Sequence, residues 1–288
     1  MHLFSKSLLL LLISLKLFAT QTEVVHSSVS TYYEHKLYSN SKQKKNGDTF
    51  GAGGDIHHSN ASYKFAYEFA HANTYQPPMN EDLEVHKLFL QYGYSFNKNF
   101  HVRINYINVL NDNIAITTGG QSYGLGLSYK FKDKFSVGLT EYFTNYDDFN
   151  VAQTDLKLNY KFSLNDVGIQ CTSITKYLLI DEKQMNSFTK NAKDSYLTSG
   201  IKIHAHKNSY HMGIGAYFGK RAFSIMNEGF KLQHHAMEFD RTYAIGVGKN
   251  ISNFVLRFQY IYQRAIELPI KNENVEMQIS RLMVNYKF

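Results

Sequence analysis

From about residue 23 to the last residue, apolar and polar side chains alternate with a period of two. Tyr63, Phe65, Tyr67 and Phe69 are interleaved with Lys64, Ala66 and Glu68, and Tyr123, Leu125, Leu127, Tyr129 and Phe131 with Gly124, Gly126, Ser128 and Lys130. Phe254, Leu256, Phe258 and Tyr260 repeat the pattern against Val255, Arg257, Gln259 and Ile261. A period of two places successive side chains on opposite faces of a strand, whereas a helix needs apolar spacings of three and four, which no long stretch here shows. The pattern predicts an all-β chain of about fourteen strands, with twelve or sixteen as alternatives. The segments fall near 23–38, 49–58, 61–74, 83–96, 100–110, 121–131, 135–145, 151–162, 167–180, 196–206, 210–219, 236–248, 253–265 and 275–288.

The connections alternate in length. Tight turns are expected at Ser59-Asn60, Asn97 to Asn99, Lys132 to Lys134, Ser163 to Asp166, Lys207 to Ser209 and Lys249 to Ser252. Longer polar links are expected at Ser39 to Asp48, Gln76 to Asp82, Asn111 to Gly120, Asp181 to Ser195, Arg221 to His235 and Ile266 to Asn274. Short turns on one rim and long loops on the other are the mark of a closed, antiparallel, up-and-down transmembrane β-barrel. Aromatic residues bracket the tight turns (Phe96 and Phe100, Phe131 and Phe135, then Phe162, Tyr210 and Phe254), as in a girdle at a headgroup boundary.

Composition supports this class. The 288 residues are 43% hydrophobic and 15% aromatic, with 3 Pro and 1 Cys, which excludes disordered, collagenous and disulfide-rich chains. A mean hydropathy of -0.36 excludes a helical membrane protein but not a barrel, whose strands are polar on one face. Residues 1–20 read as a cleaved secretory signal peptide, with Lys6 ahead of an apolar core at Leu8–Leu15 and small or polar residues at Ala19, Thr20 and Gln21. Its removal takes Lys6 and Lys16 and no acid from a formal net charge of +7. Residues 21–288 then form a single barrel domain.

At the chain end Leu282, Val284, Tyr286 and Phe288 alternate with Met283, Asn285 and Lys287. This strand resembles the C-terminal assembly signal of Gram-negative outer-membrane β-barrels, with Tyr286 and Phe288 at its two aromatic positions. In strand number and length the chain is similar to the small monomeric porins of the outer-membrane porin G type. The resemblance implies a monomeric, porin-like channel in the bacterial outer membrane. Its partners would be outer-membrane lipid and lipopolysaccharide, the barrel-assembly machinery and small hydrophilic solutes, with no cofactor and no nucleic acid.

Closure at about fourteen strands leaves a lumen too wide for side chains alone to fill. With strand patterns running to both ends of the mature chain, only an infolded loop can occupy it, Asp181 to Ser195 or Arg221 to His235. Water is expected to fill the rest. Alternation assigns Lys64, Lys87, Arg103, Lys130, Lys157, Lys161, Lys176, Lys202, Arg257 and Arg281 to the lumen, against Asp55, Glu68, Asp155, Glu238 and Asp240. Such an excess favours weak anion preference, unless the charges pair across strands, Glu238 and Asp240 with Arg257 in particular. Gly124, Gly126, Gly213 and Gly215 also face inward, whereas Glu141 and Arg241 fall on the lipid side, at a rim or a bulge.

His204, His206 and His211 flank one turn and all point inward, a weak candidate for a transition-metal site. His71, His86, His234 and His235 border long loops, where protonation could shift a loop. No lipase, phospholipase or omptin-type protease motif is present, and Asp147-Asp148 is the nearest approach to a carboxylate pair, so an enzyme is not expected. The competing readings are a structural or ligand-binding barrel, presenting loops such as Ser39 to Asp48 with Lys42, Lys44 and Lys45, and a substrate-specific channel.

Overall fold

The structure, a computed structural model, describes residues 25–77, 79–112, 117–181, 189 and 191–288. The expected signal peptide lies outside these residues, as does most of the Asp181 to Ser195 link.

Fourteen antiparallel strands form the wall. They are β1 (Val25–Ser39), β2 (Lys44–His58), β3 (Ala61–Thr74), β4 (Leu83–Ser95), β5 (Phe100–Asp112), β6 (Gln121–Phe131), β7 (Phe135–Asn145), β8 (Asn150–Leu164), β9 (Val167–Asp181), β10 (Ser195–Lys207), β11 (Tyr210–Arg221), β14 (Met237–Ile251), β15 (Phe254–Glu267) and β16 (Asn272–Lys287). Two short strands, β12 (Ile225–Met226) and β13 (Lys231–Leu232), form a separate hairpin between β11 and β14. Each wall strand pairs with its neighbours in sequence, and β1 closes the ring on β16, with Thr31 opposite Val284 and Leu37 opposite Gln278. The wall is thus a closed up-and-down barrel, which leaves no strand edge unpaired.

The chemistry of the turns explains why the short connections share one rim. Ser59, Asn165, Asn208 and Ser252 each open a two-residue turn with φ between 52 and 53°. That left-handed backbone lets adjacent strands keep their natural twist across a tight hairpin, and Asn is among the residues that tolerate it best. At this rim Phe96 and Phe100 lie 5.6 Å apart, Phe131 and Phe135 5.8 Å, and Phe254 and Tyr286 4.9 Å. Above them, every wall strand exposes at least one large apolar side chain on the outer surface, among them Phe50, Leu125, Ile201, Phe218 and Leu282. A continuous apolar belt of this size has no place in water and is what the wall of a bilayer-spanning barrel presents.

The opposite rim departs from expectation in two places. Ser39 to Asp48 and Ile266 to Asn274 are not long loops. β2 begins at Lys44, leaving a turn of 40–43, and 268–271 is all that separates β15 from β16. Lys44 is buried, so it cannot be displayed to a surface partner. The start of β2, Lys44 to Asp48, is polar throughout and carries no alternation, and pairing with β1 and β3 sets its register, while the ends of β15 and β16 pair with each other, Glu267 opposite Asn272.

Candidate channel lumen

The segment 222–236 leaves the wall after β11 and folds inward, as one of the two expected links does. Its hairpin pairs Ile225 with Leu232 and Met226 with Lys231, and its tip is a 3-10 turn at Asn227–Gly229. Glu228 and Gly229 there have φ of 59 and 99°. Gly229 lies so close to β5 that a Cβ would stand 2.7 Å from Asn105 Oδ1, so the tip reaches the opposite wall only because that side chain is missing.

Wall strands hold the segment from several directions. Gln153 on β8 bonds both sides of the Ile225 peptide: its Oε1 accepts from the Ile225 N–H and its Nε2 donates to the Ile225 carbonyl, each at 2.8 Å. Lys176 on β9 donates to the same carbonyl at 2.9 Å. Gln91 on β4 donates to the Glu228 carbonyl at 3.0 Å. The Glu228 carboxylate receives Arg103 of β5 at 2.5 Å and Lys157 of β8, and these two cations hold its pKa down at about 2. Lys231 reaches back to Glu34 on β1 at 3.0 Å, and Lys87 on β4 donates to His234 Nδ1 at 3.2 Å. The segment therefore crosses the lumen.

Apolar packing fixes it toward the long-loop rim. Phe223 is fully buried against Phe149, with ring centroids 4.8 Å apart, in a cluster with Tyr146, Val151, Leu178 and Ile180. Ile225 and Leu232 pack with Phe89, Ile107, Val109 and Tyr142. A third cluster, including Met237, Phe239, Val275 and Ile279, lies beside the segment's end. The expectation of water throughout the remaining lumen is thereby corrected: its long-loop half is filled with hydrophobic side chains, because β4, β5, β8 and β9 carry apolar residues on their inward face as well as outward.

Space remains on either side of the segment, mostly apolar in its walls on one side and mostly polar on the other. A cavity of about 430 Å³ lies against β10, β11, β14, β15 and β16, reaching Lys202, Arg257 and Arg281. One of about 390 Å³ lies against β3 to β8, with Lys64, Arg103, Lys157 and Glu228 in its walls. Lys130 and Lys161 stand at the turn rim around a third, of about 220 Å³, where Lys130 pairs with Asp133 at 2.6 Å.

Most of the inward charges are paired. Glu68 holds Lys87, Asp155 holds Lys176, and Glu34 receives Lys231, Arg281 and Lys36. Asp55 accepts from Ser28 at 2.6 Å and lies 3.3 Å from His57. Two assignments are corrected. Glu238 pairs with Lys220, and Asp240 with Arg264 and Arg241, instead of facing the cavities. Neither approaches Arg257, which sits opposite Gly248 at the far end of the β14–β15 pair. The cause is a bulge at Asp240, where the register shifts between Phe239 and Arg241 and turns Phe239 inward. Arg241 and Glu141 do stand on the outer face, Glu141 accepting from Thr154 at 2.7 Å.

Glycines at 124 and 126 make room for Tyr142 and Arg103, while 213 and 215 border the larger cavity. His204, His206 and His211 come together with ring centroids 5.6 to 6.4 Å apart. Their planes are nearly parallel, and among the described residues no group of three His, Cys, Asp or Glu is arranged to hold a metal ion. His86 stands on the outer wall beside Tyr67 and Phe69, whereas His234 is buried and His235 half-buried within the infolded segment. Sequence reasoning missed Glu34, Arg221, Glu228 and Lys231. Three of them lie in or beside the infolded segment, where alternation carries no information, and Glu34 lies in a strand whose tyrosines occupy both faces.

No family model matches the sequence, and no curated protein matches it. Among solved structures the barrel is similar to a bacterial polysaccharide outer membrane secretin, at 10% identity over 92% of this chain and 99% of that one, with a TM-score of 0.56. It is also similar to outer membrane protein Omp33 of Acinetobacter baumannii (11% identity, 91% and 99% covered, TM-score 0.49) and to OccK8 (OprE) of Pseudomonas aeruginosa (11%, 92% and 98%, TM-score 0.45). At these identities the likeness is one of fold. What the likeness shows is the closed, antiparallel up-and-down barrel.

Proposed function

We propose that this protein is a porin-like channel of the bacterial outer membrane, passing small hydrophilic solutes by diffusion, with the infolded segment 222–236 as the element that controls passage. The observation that carries this reading is the lumen itself. Fourteen strands enclose more space than the wall side chains fill, and the space left around Glu228 is lined by charged groups, as a water-filled path requires. Among the described residues no carboxylate forms an ion pair with Lys64, Lys161, Lys202, Arg221 or Arg257, and these cations support a weak anion preference. Tyr286 and Phe288 are read as the assembly signal at the closing strand. A refolded barrel in a planar bilayer tests the proposal: ionic openings whose reversal potential in a salt gradient shifts toward the anion are expected, and a cation-selective potential contradicts the preference.

A second reading has its own support. The apolar clusters around Phe223 and Ile225 close the long-loop half of the lumen among the described residues. A barrel permanently closed there would be a ligand-binding or structural protein. The same recording separates the two, since a folded barrel that never conducts belongs to this second class.

A further inference from the structure

Several lumenal glycines are covered by a ring of the chain itself. Gly51, Gly124, Gly168 and Gly200 stand directly opposite Tyr32, Tyr142, His206 and Tyr217, and a Cβ on any of them would run into that ring. A glycine inside a strand marks a place where another group comes close to the backbone, and at these positions the group is an aromatic ring one strand away.

Gly213 and Gly215 on β11 and Gly246 on β14 carry no such ring. Gly213 lies opposite His204 on one side and Gly246 on the other, and Gly215 opposite Lys202 and Ala244. His204 stacks on His211 instead, with ring centroids 5.6 Å apart. Beyond its flanking residues, a Cβ on Gly213 would meet no atom closer than 3.9 Å, and one on Gly215 none closer than 3.4 Å. The result is a floor of bare backbone on two adjacent strands, in the wall of the 430 Å³ cavity. Met226 and Leu232 of the infolded hairpin, with Ile261, Met277 and Ile279 of β15 and β16, make most of the remaining wall apolar. Lys202 and Arg257 line it too, without a carboxylate partner among the described residues.

We infer that this floor is the binding site of a small, uncharged, flat aromatic compound, whose ring takes the place that tyrosine and histidine rings take over the other glycines. A flat ring lies close to bare backbone on one face while its other face meets apolar side chains, and its π-electrons attract cations that lack a carboxylate. An apolar cavity of about 150 Å³ suffices for benzene, so 430 Å³ admits a bicyclic ring. The inference goes beyond the passage of hydrophilic solutes, and it applies to a conducting and to a closed barrel alike.

Calorimetric titration of the refolded full barrel with 2-naphthol tests it, with protein-free detergent micelles as the blank and the puckered, saturated decahydro-2-naphthol as the comparison. Saturable 2-naphthol binding is expected, at least about fivefold tighter than that of the saturated ring. Gly213→Leu or Gly215→Leu should weaken it at least about tenfold by filling the floor. Gly138→Leu adds the same bulk in the 390 Å³ cavity, where a Cβ would also stand clear of its neighbours at 3.6 Å or more, and should leave affinity within about twofold. A saturated ring that binds as tightly as 2-naphthol overturns the site. So does parent-like affinity in both folded β11 variants, or an equal loss in Gly138→Leu. If neither β11 variant shows the heat-modifiable mobility of a folded barrel, Lys202→Met and Arg257→Gln decide: a few-fold loss in each is expected, and unchanged affinity in both overturns the proposal. Binding is read without current. A barrel that binds 2-naphthol yet never conducts refutes the channel reading alone, and one that conducts without binding it refutes the aromatic site alone.

Discussion

Phe223 offers the sharpest way to disturb the infolded segment without touching the wall. It belongs to no strand, is fully buried, and packs 4.8 Å from Phe149 and 6.3 Å from Tyr146. Phe223→Ala removes a ring from a close-packed cluster, a change that costs about 3 to 5 kcal/mol at fully buried sites. The strands keep their hydrogen bonds, so that cost falls on the docked state of the segment and not on the barrel. At about 1.4 kcal/mol for each factor of ten, the lower figure raises the ratio of released to docked segment roughly 100-fold. Single-channel recording reads this as open probability, with Leu125→Ala on the outer wall as a control that should leave it unchanged. If Phe223→Ala runs as a folded, heat-modifiable barrel and its open probability stays within about twofold of the parent, packing at Phe223 does not hold the segment in place, and the reasoning fails.

Three further outcomes follow from the same contacts. Glu228→Gln removes the charge that Arg103 and Lys157 share at a half-exposed tip; allowing for solvent screening, about 1 kcal/mol and about fivefold in open probability are expected, and no change in gating would contradict the latch. Burial, with Lys87, Lys44 and Lys36 nearby, holds the pKa of His234 and His235 well below the ordinary 6.5, and Glu68 and Glu84 are the acids that line cavities with them. The docked segment keeps them neutral and the released one takes up protons below that pH, so docking is favoured above about pH 6.5 and weakens progressively as pH falls. Open probability should therefore rise between about pH 7.5 and pH 5, and His234→Gln with His235→Gln should flatten the profile. At the closing seam, the Phe288 N–H donates to the Ser27 carbonyl at 3.0 Å, and its ring meets Tyr286 edge-on at 5.0 Å. Deleting Phe288 should cut the yield of assembled barrel in cells while leaving refolding in detergent largely intact, and equal yields in cells would remove its assembly role.

Periodicity located all fourteen wall strands because each must present one face to the surroundings, and the outer face is uniformly apolar. Where polar residues alternate with that face, side chains such as Lys64, Arg103, Lys157, Lys202 and Arg257 border the cavities. It failed where two physical effects break the rhythm. On β14 the bulge at Asp240 moved Glu238 and Asp240 away from the lumen, and a bulge leaves no mark in hydropathy. On β4, β5, β8 and β9 both faces are apolar near the long-loop rim, since Val85, Phe89, Ile107, Val109 and Leu178 serve an interior core and not lipid. That doubled hydrophobicity was the available sign of a packed lumen. The partners of Glu228 could not be read from sequence at all, because a tip that crosses a barrel meets residues more than 70 positions away.

The central claim is that a conducting barrel is occluded by the segment folded into it, and conductance before and after removing that segment measures this directly. Replacing residues 224–233 with a short Gly-Ser link in the mature barrel should convert rare, small openings into large, stable ones that scale with ionic strength. Equally large, steady currents from the unaltered barrel, or a shortened barrel that folds and stays silent, would contradict it.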